Sequence, residues 1–304
     1  MAKLSYAQRP AKYIQRRMVA DALRRLRVFA PLSEYEYVGF GGLEFVDFEL
    51  FHRELEVDEM TSIEEDSNSA SRFRFNVPFS KVEVLFDKAS AVLPNLLDQP
   101  RLRVVWLDYE SELESEVLQD LGTAIRRLVP GSVLLITVNA KGPSRAAERL
   151  SRFEDDVGAE RIPAGVDNST LAKWGWAEAS YRVVQAEALA TVARRTDGAS
   201  FEQLFRFHYA DNARMLTWGG IVIAPSGKVA FESAGFDELA QVRRADAEPF
   251  EVSPPVLTTR EALHLNAQLP TENTAAIDTA GVNPAEVASY AELYRWYPPV
   301  PAAM

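Results

Sequence analysis

Five short strand-like runs, of which 104–107 is fully apolar and 132–138 apolar or β-branched, constrain this chain of 304 residues more than any other feature. They fall at 35–38, 60–63, 82–86, 104–107 and 132–138, with helical periodicity read at 44–55, 90–97 and 112–128 between them. A strand that is apolar along its whole length is buried on both faces. Strands that alternate with helices run parallel. The expected fold class is therefore α/β: five parallel strands in one doubly wound sheet, with helices on both faces.

The pattern changes at both ends of this block. Residues 11–29 read as an amphipathic helix, with Ile14, Met18, Ala22, Leu23 and Leu26 on one face and arginines on the other. After 138 the stretches 144–157 and 173–195 look helical, and 201–214 reads as their continuation. Residues 215–224 and 228–233 read as two strands joined by Pro225-Ser226-Gly227, an antiparallel hairpin that closes the sheet at seven strands. Beyond Phe236 the chain is punctuated by proline, and Thr258 with Glu261 and Asn283 with Glu286 mark two short helices. The expected division is a basic N-terminal helix (1–30), an α/β domain (31–236) with a helical insert at about 144–214, and a proline-rich extension (237–304).

There is no cysteine, which excludes disulfides, thiolate metal sites and a cysteine nucleophile. No apolar run reaches membrane-spanning length and the N-terminus lacks the apolar core of a signal peptide, so a cytoplasmic location without a membrane partner is expected. The net charge of −11 argues against general nucleic-acid binding. Residues 1–30 nevertheless carry a balance of +7 against −18 in the rest. Such a helix either pairs with the protein's own acidic body or meets an acidic partner or nucleic acid.

The first strand runs into Gly39-Phe40-Gly41-Gly42, a turn that lets backbone pass close to a ligand ahead of a helix N-terminus. Glu64, at the end of the second strand, lies 22 residues after Gly42 and precedes Glu65 and Asp66. An acid there accepts hydrogen bonds from a ribose diol, or belongs to an exposed acidic turn. Asp87 and Ser90 follow the third strand as ligand contacts or helix caps. Asp108-Tyr109 ends the fourth strand and Asn139 the fifth, at the carboxyl edge where open α/β sheets bind ligands. His208 can take a proton near neutral pH or simply pack beside Phe205 and Phe207 on a helical segment. His52 and His264 have no metal-ligand spacing.

Across about 35–235, this order of elements and the glycine turn resemble the class I S-adenosylmethionine-dependent methyltransferases, nearest to the O-methyltransferase type. The resemblance implies a Rossmann-like sheet and S-adenosylmethionine as cofactor. It places Gly39, Phe40, Gly41 and Gly42 against the methionine part, Glu64 and Glu65 at the ribose, and Asp87 and Ser90 at the adenine. It makes Asp108, Tyr109 and His208 the catalytic candidates. Tyr37 stands where the family usually has an acid and Leu43 where it has the last glycine. Metal-dependent relatives join an acid after strand four to an Asp-Asn pair after strand five. Val138-Asn139 lacks one carboxylate, so no resident metal is expected. The implied reaction is methyl transfer to an oxygen of a small molecule. The alternatives are a non-catalytic module of the same fold in a larger assembly, and an NAD-dependent oxidoreductase. Tyr290, Tyr294, Trp296 and Tyr297 need burial, in the chain itself or in a homodimer.

Overall fold

The computed structural model describes residues 9–298. Lys3, Pro299 and Pro301 lie outside that range. The chain order is α1 (Pro10–Leu23), β1 (Glu36–Gly39), α2 (Val46–Leu55), β2 (Glu59–Glu64), α3 (Ala70–Asn76), β3 (Val82–Phe86), α4 (Ala89–Leu96), β4 (Arg103–Glu112), α5 (Ser115–Arg127) and β5 (Val133–Asn139). There follow α6 (Arg149–Val157), α7 (Gly175–Val192), β6 (Ser200–Ala210), β7 (Arg214–Ile223), α8 (Lys228–Ser233), β8 (Phe250–Val252), α9 (Thr259–Asn266) and α10 (Pro284–Leu293). One eight-stranded sheet has the order β3-β2-β1-β4-β5-β7-β6-β8. Strands β1 to β5 are parallel, as their alternation with helices implies.

The hairpin is displaced from its expected place. Strand β7 pairs antiparallel with β5 and with β6, and the turn between β6 and β7 is Asp211-Asn212-Ala213. Residues 228–233 form α8 instead, with Pro225 opening a short 3-10 turn before it. Residues 200–210, read as helical, are a strand in which Phe205, Phe207 and Tyr209 face one core cluster while Arg206 and His208 are buried on the opposite side. Helix α5 begins at Ser115 rather than 112 because β4 runs on to Glu112, with a register shift between Asp108 and Glu112. The eighth strand comes from the C-terminal segment: β8 lies parallel to β6, Phe250 beside Phe207.

Two apolar clusters cover the sheet. Helices α1 and α2 supply Ile14, Met18, Leu23, Phe48 and Phe51 to one; α4, α5 and α7 supply Leu93, Leu121, Ile125 and Val184 to the other. A third, smaller cluster holds α9 to α10 through Ala262, Leu265, Val287 and Tyr290. The Thr258–Glu261 capping box starts α9, and Asn283 accepts from the Ala285 amide at the start of α10. Of the four terminal aromatics, Tyr290 is buried within the chain and Tyr294, Trp296 and Tyr297 are half-buried. Among the described residues no helix is long and apolar enough to cross a membrane.

Helix α1 does not keep its basic residues in water. Lys12 and Arg16 are both only 4% exposed. They meet Asp108 and Asp47 respectively, while Arg17, Arg24 and Arg25 pair with Glu54 and Glu238 nearer the surface. The helix has no side-chain cap of its own. Asp211, in the β6–β7 turn, accepts from the Ala11 and Lys12 amides at 3.1 Å each and takes that role.

Candidate active site

The first strand ends in a turn whose glycines have separate reasons. Gly42 has φ +57° with open space where a Cβ would stand, so its requirement is conformational. At Gly41 a Cβ would fall 2.5 Å from the Phe45 ring and 2.8 Å from Ser62 Oγ, so the requirement there is close packing. Glu64, at the carboxyl end of β2, ties the turn down. Its Oε1 accepts from the Gly42 amide at 3.0 Å and from Ser62 Oγ at 2.6 Å, while Ser62 Oγ accepts from the Gly41 amide at 2.9 Å. Both side-chain bonds converge on Oε1, which leaves Oε2 for a ligand. Burial raises the Glu64 carboxyl above its ordinary range, against the pull of the Ser62 and turn-amide bonds.

Phe40 leaves this turn and meets Tyr109 edge to face, with ring centroids 5.1 Å apart. Tyr109 Oη donates to Asp120 Oδ2 of α5 at 2.7 Å. Burial, chiefly, lifts Asp120 to about 6, with Glu116 and Glu65 adding to the shift while the tyrosine bond and Lys88 oppose it. On the same side Lys88 Nζ pairs with Glu116 at 3.0 Å and Ser90 Oγ reaches it at 3.4 Å. Asp87 is exposed and accepts from its neighbour's amide at 2.8 Å; Glu65 is exposed. The crevice between β1 and β4, where the strand order reverses, is thus edged mainly by hydrogen-bond acceptors.

Beyond Tyr109 a cavity of about 200 Å³ opens at the ends of β4, β5 and the β6–β7 hairpin, lined among others by Lys12, Asp108, Asn139, Tyr209 and Met215. Lys12 Nζ donates to Asp108 Oδ1 at 2.8 Å and to Tyr209 Oη at 3.0 Å. Asn139 Oδ1 is occupied by the Lys141 amide at 2.9 Å. No group of three His, Asp or Glu side chains among the described residues could hold a metal ion. A second cavity of about 250 Å³ lies between α7 and β6, away from these strand ends.

The structure therefore joins Gly41, Gly42 and Glu64 through hydrogen bonds, Phe40 to Tyr109, and Tyr109 and Asp108 to one cavity. Gly39 closes β1, buried beside Trp106. His208 is not among the residues lining that cavity. It sits on β6, not on a helix, 4% exposed and stacked on Trp174 at 4.7 Å with 9° between the rings. Burial, with Arg206 nearby, lowers its pKa to about 4. Tyr37, in place of the family acid, packs edge-on against Phe48 and Phe51. Sequence reasoning missed Lys12, Asp211 and Asp120. The available signal was Arg9, Lys12 and Arg16 at helical spacing, one shared face of α1.

Residues 4–300 match a family described as "Putative O-methyltransferase". The chain belongs to this family. Its strand order is that of the class I methyltransferase fold which this family membership implies, extended here by β8. No curated protein matches it in sequence. Among solved structures, Trm1 from Pyrococcus horikoshii with S-adenosyl-L-methionine is 12% identical, covers 75% of this chain and 57% of its own, and gives a TM-score of 0.47. An O-methyltransferase family protein from Burkholderia thailandensis is 15% identical over 68% of this chain and 56% of its own, TM-score 0.38. A probable spermidine synthase from Corynebacterium glutamicum is 13% identical over 81% and 82%, TM-score 0.43. The chain thus spans less than two thirds of the first two, and likeness at this level carries nothing about substrate.

Proposed function

We propose that the protein transfers the methyl group of S-adenosylmethionine to an oxygen nucleophile of a small molecule. The observation that carries the reading is Tyr109. It meets Phe40 of the glycine turn and also lines the cavity at the end of β4. The cofactor crevice and a substrate cavity then share one wall.

The residues fit the cofactor by the chemistry of their donors and acceptors. A ribose diol, an adenine amine and a ligand ammonium are all donors, and a sulfonium is a cation. The crevice offers carboxylates to match: Glu64 through Oε2, with Glu65, Asp87 and Asp120 around it. Glu64 would hold the ribose, the 39–42 turn would lie along the methionine part, and Asp87 and Ser90 would border the adenine. Bound there, S-adenosylmethionine supplies a methyl group activated by positive sulfur. The protein's part is positioning, exclusion of water and stabilisation of the nucleophile. Tyr109, kept protonated by burial and by Asp120, serves as a wall and a hydrogen-bond donor to Asp120 rather than as a base.

Calorimetry with S-adenosylmethionine, S-adenosylhomocysteine, NAD and NADP tests the reading. Binding of the first two alone is expected, and Glu64→Ala should weaken it roughly ten- to a hundredfold. Binding of NAD in their place would overturn it.

A further inference from the structure

Lys12 is buried, charged and faces the cavity that the methyltransferase reading assigns to substrate. An ammonium carries three N–H donors. Asp108 Oδ1 takes one at 2.8 Å and Tyr209 Oη another at 3.0 Å, so the third is left for an occupant of the cavity. The ring centroids of Trp106 and Tyr209 lie 5.0 and 5.4 Å from Nζ. Aromatic walls lower the local dielectric and strengthen any charge interaction made there. The amine is also held from the backbone, because Asp211 accepts from the Lys12 amide.

The charges facing Lys12 are Arg16 of α1, Asp47 of α2, Asp108 of β4 and the Tyr209 phenol of β6. Burial works most strongly against its charge, but Asp108, Tyr209 and Asp47 together outweigh burial and Arg16 and hold the amine protonated above its ordinary range. Asp108 and Asn139 occupy the strand ends where a cation-dependent relative would place its ion. Here Asp108 already has a cation, built into the chain.

The geometry points to Lys12 as a catalytic residue whose ammonium, fixed by Asp108 and Tyr209, holds the ionised oxygen of a small phenol in this cavity. The inference rests on the methyltransferase reading. In a lining that is otherwise mostly polar, Tyr109, Tyr209 and Met215 suit the faces of a ring, and about 200 Å³ suits a single one. The phenol loses its proton to solvent before transfer. Its oxygen then forms the bond to the methyl carbon as the carbon–sulfur bond breaks, and that electron pair stays on sulfur. Anion and sulfonium become a neutral ether and a neutral thioether, and Lys12 keeps its proton throughout. The ether no longer attracts the ammonium, which favours release of product.

para-Nitrophenol reports its own ionisation by absorbance and serves as the probe. Titrated with excess protein, it should ionise at lower pH than in buffer. Lys12→Met should abolish that shift and weaken nitrophenolate binding by about tenfold or more, while Lys12→Arg restores most of it. Calorimetry with S-adenosylmethionine is run on the same proteins and should give the same affinity for all three. An unshifted ionisation with the unaltered protein overturns the inference, whatever the variants do. So does a Lys12→Met protein that keeps the shift, or one whose main loss is affinity for S-adenosylmethionine, which would assign the ammonium to the cofactor's carboxylate. Failure of the unaltered protein to bind S-adenosylmethionine would instead remove the methyltransferase reading.

Discussion

Asp120 should make the protein less stable at neutral pH than in mild acid, and the effect has a calculable ceiling. Its carboxyl is 2% exposed and its pKa is raised from 3.8 to about 6. A rise of that size disfavours the ionised form in the fold by about 3 kcal/mol at most. Below the unfolded value both states hold the proton and the stability is fully present. As pH climbs, the unfolded carboxyl ionises first, and stability falls until the folded one ionises too at about 6. Asp120→Asn removes the titration and keeps an acceptor for Tyr109, whose bond at 2.7 Å would persist in weaker, uncharged form. Urea unfolding at stepped pH should find the variant equal to or slightly below the parent near about pH 4. By about pH 8 it should be more stable by roughly 1–3 kcal/mol. A difference that stays constant across that range would refute the assignment of the raised pKa to Asp120.

Four further outcomes are expected. Asp211→Ala should cost about 1 kcal/mol of stability through the lost helix cap, read by urea unfolding. Gly42→Ala should cost a further roughly 1–2 kcal/mol in the same measurement, because φ is positive although the space is open. His208→Phe should leave methyl transfer near neutrality unchanged. It should also remove an acid sensitivity, because a histidine whose pKa falls to about 4 stabilises the fold above its ordinary 6.5 and loses that contribution as pH drops through about 4. Truncation after Pro270 deletes Val287, Tyr290 and Leu293, each at most 2% exposed, and should lower the thermal midpoint of a monomer rather than dissociate an oligomer.

The sheet was most legible in β4 and β5, whose apolar runs mark strands buried on both faces, whereas β1 and β2 also bury Glu36, Ser62 and Glu64. The hairpin was not. Strand β6 buries Arg206 on its second face, paired with Glu178 of α7 and stacked on Tyr181, and a charged residue between phenylalanines hides a strand. The alternation of Phe205, Phe207 and Tyr209 and the Asp211-Asn212 turn were the better signals. Pro225 misled because proline suits the first turn of a helix as well as a loop. At the site, the glycine turn and Glu64 were readable from spacing, since both sit at strand ends within one β-α-β unit. Lys12 was not, because a lysine on an amphipathic helix normally faces water. Only Asp108, 96 residues away, shows that it faces inward. Asp120 was hidden for the same reason: Tyr109 and α5 bury an acid that local sequence would leave in solvent.

The docking of α1 onto Asp211 also sets an order of events during synthesis. The two amides and the carboxylate that cap them are separated by 200 and 199 residues. At ribosomal speeds of about 5–20 residues per second, the first helix waits roughly 10–40 s for its cap to be made. During that wait Ile14, Met18 and Leu23 can pack only on the early elements β1 and α2, and Lys12 has no reason to leave water until β4 has emerged. Closing so long a loop is slow and gains nothing until the hairpin exists. The cavity at the ends of β4 and β5 is therefore among the last parts of the molecule to form, and a nascent chain stalled before β6 can fold its glycine turn without completing that cavity.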